Sequence, residues 1–192
     1  MLFTIGLLHG CIPLEDRIDL IYETWCAPPR EEVVGCVYDG DTFYTGGCQL
    51  SAEEDFRVLG VQAPELGPSS ESGDSECYGD EAASFLDDLI MGREVSLEFD
   101  VECVGTFDRT LAWVFLEGTE VEVVSLLDDL GGLGLVEEGR YRVLVNELMI
   151  RAGYATVYRG DVASNIRYVD RLEEAEDQAE AEGLGLWNEC VN

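Results

Sequence analysis

Short apolar–polar alternation fills much of the first two-thirds of the chain, and helical spacing takes over toward its end. Glu32 to Val37 and Thr42 to Gln49 read as two strands around the turn Asp39-Gly40-Asp41. Phe56 to Val61 reads as a third strand, and the Gly-, Ser- and Pro-rich stretch Leu66 to Glu76 as a loop. From Tyr78 to Met91 the apolar positions Ala82, Phe85, Leu86, Leu89 and Ile90 recur at helical spacing. Asp80 and Glu81 favour the positive end of the helix dipole, and Gly92 can end the helix. Arg93 to Val101 and Thr110 to Leu116 complete five strands, the last closing at Glu117-Gly118. Val121 to Arg142, interrupted by Gly131, Gly132 and Gly134, has no clear period. Val143 to Ala152 reads as a helix closed by Gly153. Ser164 to Glu182 reads as an acidic helix with Ile166, Val169, Leu172 and Ala175 on or near one face; Leu184 to Trp187 is expected to pack back on the barrel. Five strands with an interposed helix suit an α+β fold: a five-stranded OB-type Greek-key β-barrel with about three helices.

A length of 192 residues suits one domain with a real core and a short appendage. The expected layout is a signal segment over 1–11, a tether over 12–30 and the domain over 31–190. Apolar content of 46% argues for a globular chain. No apolar run reaches the ~18 residues of a spanning helix. The formal net charge is −30, from 41 acidic and 11 basic residues, and every basic residue is Arg. Such a field repels DNA and RNA at long range. Either the chain does not meet nucleic acid, or it works in high salt, where the Debye length falls to ~3 Å at about 1 M. The lone histidine, His9, effectively excludes histidine-based acid–base and metal chemistry; the absence of lysine excludes Schiff bases and a P-loop. Carboxylate, arginine, tyrosine and cysteine chemistry remain.

The seven cysteines contain no Cys-x-x-Cys pair, which argues against zinc. The apolar Met1 to Gly10 followed by Cys11 resembles a bacterial lipoprotein signal with Cys11 as the lipidated residue. It is short and lacks a basic n-region; an ordinary apolar N-terminus is the alternative. The other six cysteines permit three disulfides in an oxidising compartment, with 15 formal pairings. Cys36 and Cys48 flank one hairpin, Cys26 and Cys190 could tie the two ends, and Cys77 and Cys103 would remain; buried free thiols for some of them are the alternative. Export to a bacterial cell envelope, or secretion, is the expectation. Contact with the membrane would come only through a lipid at Cys11. A monomer is expected, with no protein partner.

The richest chemistry lies in Val37-Tyr-Asp39-Gly-Asp41-Thr42, Phe56-Arg57 with Gln62-Ala63-Pro64-Glu65, and Phe107-Asp108-Arg109-Thr110-Leu-Ala112. Two carboxylates for a hard cation, a carboxylate base and two guanidinium groups are what a metal-assisted phosphodiesterase needs. With Tyr78-Gly-Asp-Glu-Ala82, Asn146-Glu147 through Arg151-Ala-Gly153-Tyr154-Ala155, and Leu186-Trp187, this ordered set resembles the staphylococcal nuclease (thermonuclease) family over roughly residues 31–189. The resemblance implies calcium held by Asp41, by the Ala63 carbonyl and at position 62, with Asp39 a second acidic group near the metal. It implies Arg57 and Arg109 on the scissile phosphate and Glu65 on the attacking water. Tyr154 and Tyr158 fall near family tyrosines that stack on a base, although packing is the commoner role for such residues.

Gln62 departs from that pattern, since the family usually has Asp there as a direct calcium ligand. Glutamine keeps an oxygen and loses the charge, so weakened calcium binding is expected. Phe107 stands where a tyrosine is common, and Asp108 replaces a usual glycine, where it could pair with Arg109. Two functions follow. One is an exported calcium-dependent nuclease acting on DNA or RNA. The other is a catalytically weakened or inactive binding module on the same barrel.

Overall fold

A computed structural model describes residues 26–47, 54–67, 73–102, 104–105, 108–119, 141–160 and 166–190. Cys11, Cys48, Cys103, Phe107 and Ser164 lie outside them, as do residues 1–25 and most of the stretch 121–142 that has no clear period.

β1 (Arg30–Asp39) is the long strand around which the sheet turns. Its first half pairs antiparallel with β5 (Glu94–Glu98), and its second half with β2 (Thr42–Thr45). β2 continues into β3 (Glu54–Val58), and β5 pairs with β6 (Thr110–Glu117). A parallel pairing of β3 with β6, Arg57 opposite Leu111, closes the ring. Five strands therefore form a mixed barrel with no free edge inside the ring. β7 (Arg142–Leu144) extends β6 outside it, and two-residue strands β4 (Val61–Gln62) and β8 (Thr156–Val157) form a separate pair.

The barrel is filled by Phe43 and Phe56, stacked at 5.3 Å, with Val58, Leu97, Phe99, Trp113 and Phe115. α1 (Gly79–Ile90) buries Ala82, Leu86, Leu89 and Ile90, the face its periodicity predicts, and leaves Phe85 half-buried. α2 (Val145–Arg151) lies against β6 and against α3 (Val169–Glu182). Asn146 of α2 is fully buried. Its side chain accepts the Val114 N–H at 2.8 Å and donates to the Leu59 carbonyl at 2.8 Å and the Ala112 carbonyl at 3.2 Å, tying α2 to β6 and to the turn after β3.

Several boundaries differ from the sequence expectation. Residues 26–30 are docked rather than a tether: Cys26 and Ala27 pack on the core, the Cys26 N–H donates to the Asp100 carbonyl, and Arg30 opens β1. The expected strand 56–61 breaks at the turn Leu59-Gly60, and the expected helix 143–152 begins as strand β7, because Val143 and Leu144 continue the sheet from β6. The acidic helix starts at Val169. Leu184 to Trp187 packs on the turn after α2 rather than on the barrel, with the Leu186 N–H donating to the Gly153 carbonyl before the short helix α4 (Leu186–Glu189).

That placement also corrects the cysteine pairing. α4 brings Cys190 beside the start of α1, where it is bonded to Cys77 with the Cα atoms 5.8 Å apart. The expected Cys26–Cys190 and Cys77–Cys103 pairs are therefore not formed. Cys26 and Cys36 are disulfide-bonded as well.

Candidate active site

The strand register brings the polar side chains together. Asp39 at the end of β1 faces Thr42, and Thr42 faces Arg57 across β2 and β3. Arg109 directly precedes Thr110, which faces Phe56, so the parallel closure delivers the second arginine beside the first. Gly40 makes the connecting turn possible, although its φ is not positive. A Cβ there would lie 2.6 Å from the Ala63 Cβ and 2.7 Å from the Ala82 Cβ. Closeness, not backbone freedom, requires glycine.

Asp41 is the hub and is 2% exposed. Its Oδ2 lies 2.8 Å from Arg57 Nη2 and accepts the Ala63 N–H at 3.1 Å. Its Oδ1 accepts the Thr42 hydroxyl at 3.0 Å, and Thr42 Oγ1 in turn accepts from Arg109 Nη1 at 2.9 Å. Asp39, also buried, accepts the Asp41 N–H at 3.1 Å. Burial pushes the Asp41 carboxyl up to about 7, and neighbouring Asp39 adds to the rise; Arg57, the Ala63 N–H and the Thr42 hydroxyl oppose it.

Gln62 is half-buried, with its side-chain amide engaged internally. Its Oε1 accepts from Arg57 Nη2 at 3.0 Å, and its Nε2 donates to the Ala63 carbonyl at 3.1 Å. Arg57 Nη2 also donates to the Val61 carbonyl at 3.4 Å, and the guanidinium lies 5.8 Å from the Tyr158 ring centre.

Glu65 is half-buried and is fixed through its backbone. Its N–H donates to Glu76 Oε2 at 3.1 Å, and its carbonyl accepts the Glu76 N–H at 2.8 Å. Gly79 lets α1 start against this pair, since a Cβ there would sit 2.7 Å from the Glu65 carbonyl oxygen. Burial raises the Glu65 carboxyl above its usual range, with Asp39 and Glu76 adding to the rise and Arg57 and Arg109 opposing it. Glu65 thus sits in the field of both arginines.

The structure therefore gathers Asp39, Asp41, Arg57, Gln62, Ala63, Glu65 and Arg109, with Tyr158 at the edge. Tyr154 makes its ring contacts elsewhere, stacked on Phe85 at 4.0 Å and 5.4 Å from Tyr78. Asp108 is exposed with φ of 60°, the left-handed region, which explains why glycine is usual at that position and why Asp is tolerated. Sequence reasoning missed Thr42 as the link between Asp41 and Arg109. It also missed Glu76 as the clamp on Glu65, since in a chain with 41 acids nothing local marks one loop glutamate.

The donors around Asp41 are all oxygen: two carboxylates, the Gln62 amide and the Ala63 carbonyl. That set suits a hard dication such as calcium in kind. It is thin in charge, and no group of three or more His, Cys, Asp or Glu arranged to hold a metal occurs among the described residues. Asp41 Oδ2, Gln62 Oε1 and the Ala63 oxygen already carry internal donors, so a cation here must compete with Arg57 and with the Gln62 amide.

A family model described as Staphylococcal nuclease homologue matches residues 55–189. The chain is also 27% identical over 155 residues to the Thermonuclease of Staphylococcus hyicus, an alignment spanning 79% of this chain and 72% of that protein. The family match begins inside β3, yet the ring closes only with β1 and β2, which come before it. The chain belongs to the staphylococcal nuclease family.

Proposed function

We propose that this chain is a phosphodiester hydrolase that cleaves DNA or RNA with the help of calcium. The observation that carries this reading is the convergence of Arg57 and Arg109 on the Asp41–Thr42 pair, with Glu65 in the field of both. Two guanidinium forks offer planar donors to phosphate oxygens and oppose the charge that grows there during displacement. Glu65, with its carboxyl raised and its backbone clamped, is suited to take a proton from water at neutral pH. Calcium, when held by Asp41, Asp39, Gln62 and the Ala63 carbonyl, would supply Lewis-acid stabilisation of the phosphate. The Cys77–Cys190 disulfide supports a working place outside a reducing cytoplasm.

A second reading has its own observation. Gln62 holds Arg57 instead of presenting a carboxylate, and the chain carries −30. Both favour a binding module on the same barrel with weakened or no catalysis. Cleavage of single-stranded DNA by the full chain separates the two. It would be measured with calcium and with a chelator, from low salt to about 1 M, beside Glu65→Gln and Arg57→Ala. Calcium-dependent cleavage lost in both variants supports the nuclease. A folded protein that cleaves nothing under any of these conditions supports the module.

A further inference from the structure

β1 and β2 do not pair evenly. Val37 faces Phe43 and Asp39 faces Thr42, so Tyr38 is an extra residue on β1, a bulge. Bulges re-aim side chains, and they concentrate beside functional sites. Here the bulge turns out an aromatic ring that is 44% exposed, while most large apolar side chains of the barrel are buried. Tyr38 meets Tyr44 edge to face, with ring centres 6.2 Å apart. Tyr44 is two residues along β2 from Thr42 and so points to the same side of the strand, about 7 Å further on. Thr42 Oγ1 is the group that accepts from Arg109 Nη1. Burial raises the Tyr44 phenol, Asp55, Tyr38 and Asp39 add to the rise, and Arg109 opposes it, which agrees with a ring within the field of Arg109.

We propose that Tyr38, backed by Tyr44, is a stacking subsite for a nucleobase whose phosphate lies at Arg109 and Arg57. The proposal rests on the reading of the chain as a polynucleotide-cleaving protein and adds a base-reading platform to it. The Tyr44 ring stands one strand step from Thr42, which holds Arg109, and the Tyr38 ring centre is 6.2 Å from that of Tyr44, spacings on the scale of a nucleotide repeat. Stacking is blind to base identity because every base has a π-face, so the subsite favours single strands with unpaired bases over duplex, without reading sequence. It also answers the charge problem. A surface at −30 gains little from long-range attraction to a polyanion, whereas stacking is not screened by salt.

The test compares steady-state cleavage of an oligothymidylate and of an abasic phosphodiester oligomer of equal length. The full chain, Tyr38→Ala and Tyr38→Trp are assayed in calcium. Base–aromatic stacking contributes about 1–3 kcal/mol per base, so the unsubstituted chain should show a KM at least about fivefold lower for the base-bearing oligomer. Tyr38→Ala should erase that difference while leaving kinetics on the abasic oligomer unchanged, and Tyr38→Trp should keep it. Equal KM for the two oligomers, or a Tyr38→Ala effect of the same size on both, overturns the subsite while leaving the nuclease standing. If the unsubstituted chain cleaves neither oligomer, the nuclease reading fails instead. The subsite is then judged by anisotropy of the two labelled oligomers: base-dependent binding lost in Tyr38→Ala sustains it, and base-independent or absent binding overturns it.

Discussion

Asp41 and Asp100 are both 2% exposed, and their carboxyls are displaced in opposite directions. Burial pulls Asp100 upward, but three N–H donors outweigh it. Arg167 N–H and Trp113 Nε1–H reach Oδ2 at 2.9 and 2.8 Å, and Val101 N–H reaches Oδ1 at 2.8 Å. With the Arg167 guanidinium nearby, they hold Asp100 below the ordinary carboxylate range. Glu98 beside it accepts from Arg142 and Arg167, so the cluster closes on itself. Asp41 has one backbone N–H, one hydroxyl and one guanidinium, and it faces a second buried carboxylate, Asp39. One aspartate is fully answered by fixed donors and serves the fold. The other is under-compensated, which costs the fold and which an external cation would relieve if it displaced the internal donors.

The most severe way to break the contrast is to remove one partner from each cluster, the guanidinium from one and the carboxylate from the other. Arg57→Ala is expected to lower kcat for oligonucleotide cleavage by about 10²–10³-fold, as losing one oriented donor to a developing anion does elsewhere. The thermal midpoint should fall as well, because buried Asp41 loses its paired guanidinium. Asp100→Ala should lower stability alone. It strands the buried Trp113 N–H and should cost about 3 kcal/mol in urea unfolding, with cleavage per folded molecule unchanged.

Gln62→Asp sharpens the contrast by adding a carboxylate to the under-compensated side. It should tighten calcium binding by about 1.4 kcal/mol, roughly tenfold, read by calorimetry. It should also lower stability in chelator, because a third acid joins Asp39 and Asp41. The mildest test is pH. Folded Asp41 ionises near 7 against 3.8 for the ordinary group, so between these values the folded form keeps a proton that the unfolded form has lost. Its contribution therefore drains stability as pH rises from about 4 to about 7 and is constant above. Asp41→Asn should raise the midpoint by a few degrees at pH 8 in chelator and by nothing near pH 4. Asp100 has the opposite sign: its stabilisation is complete above the ordinary carboxylate range and is lost as pH falls through its lowered value.

Much of the barrel is legible in the chain. Alternation marks β1 and β5, a short apolar run between turn residues marks β6, and helical spacing marks the buried face of α1. The Asp-Gly-Asp turn and the two arginines are visible because they sit within a few residues of strand ends. Three things are not legible, each for a physical reason. Val143 to Ile150 is an almost unbroken apolar run, so periodicity cannot find the switch from β7 to α2. The role of Asn146 depends on a strand and a turn 32 and 87 residues away. The side-chain geometry of Gln62 follows from which neighbour reaches it first. Its identity predicts an oxygen near a metal, and the fold gives that oxygen to Arg57.

Cys77 adjoins Glu76, the residue that clamps Glu65, and its disulfide partner is 113 positions further on. That link has an order in time as well as a place. The clamp can be formed from the first half of the chain, but it cannot be locked until residue 190 has been made, α2 and α3 have docked, and an oxidant has acted. A chain stopped between residues 109 and 190 can hold every arginine and carboxylate of the site and still lack the bond beside its proposed base. Fixation of Glu65's neighbour is therefore a late step of maturation, set by the completeness and oxidation of the molecule rather than by local folding.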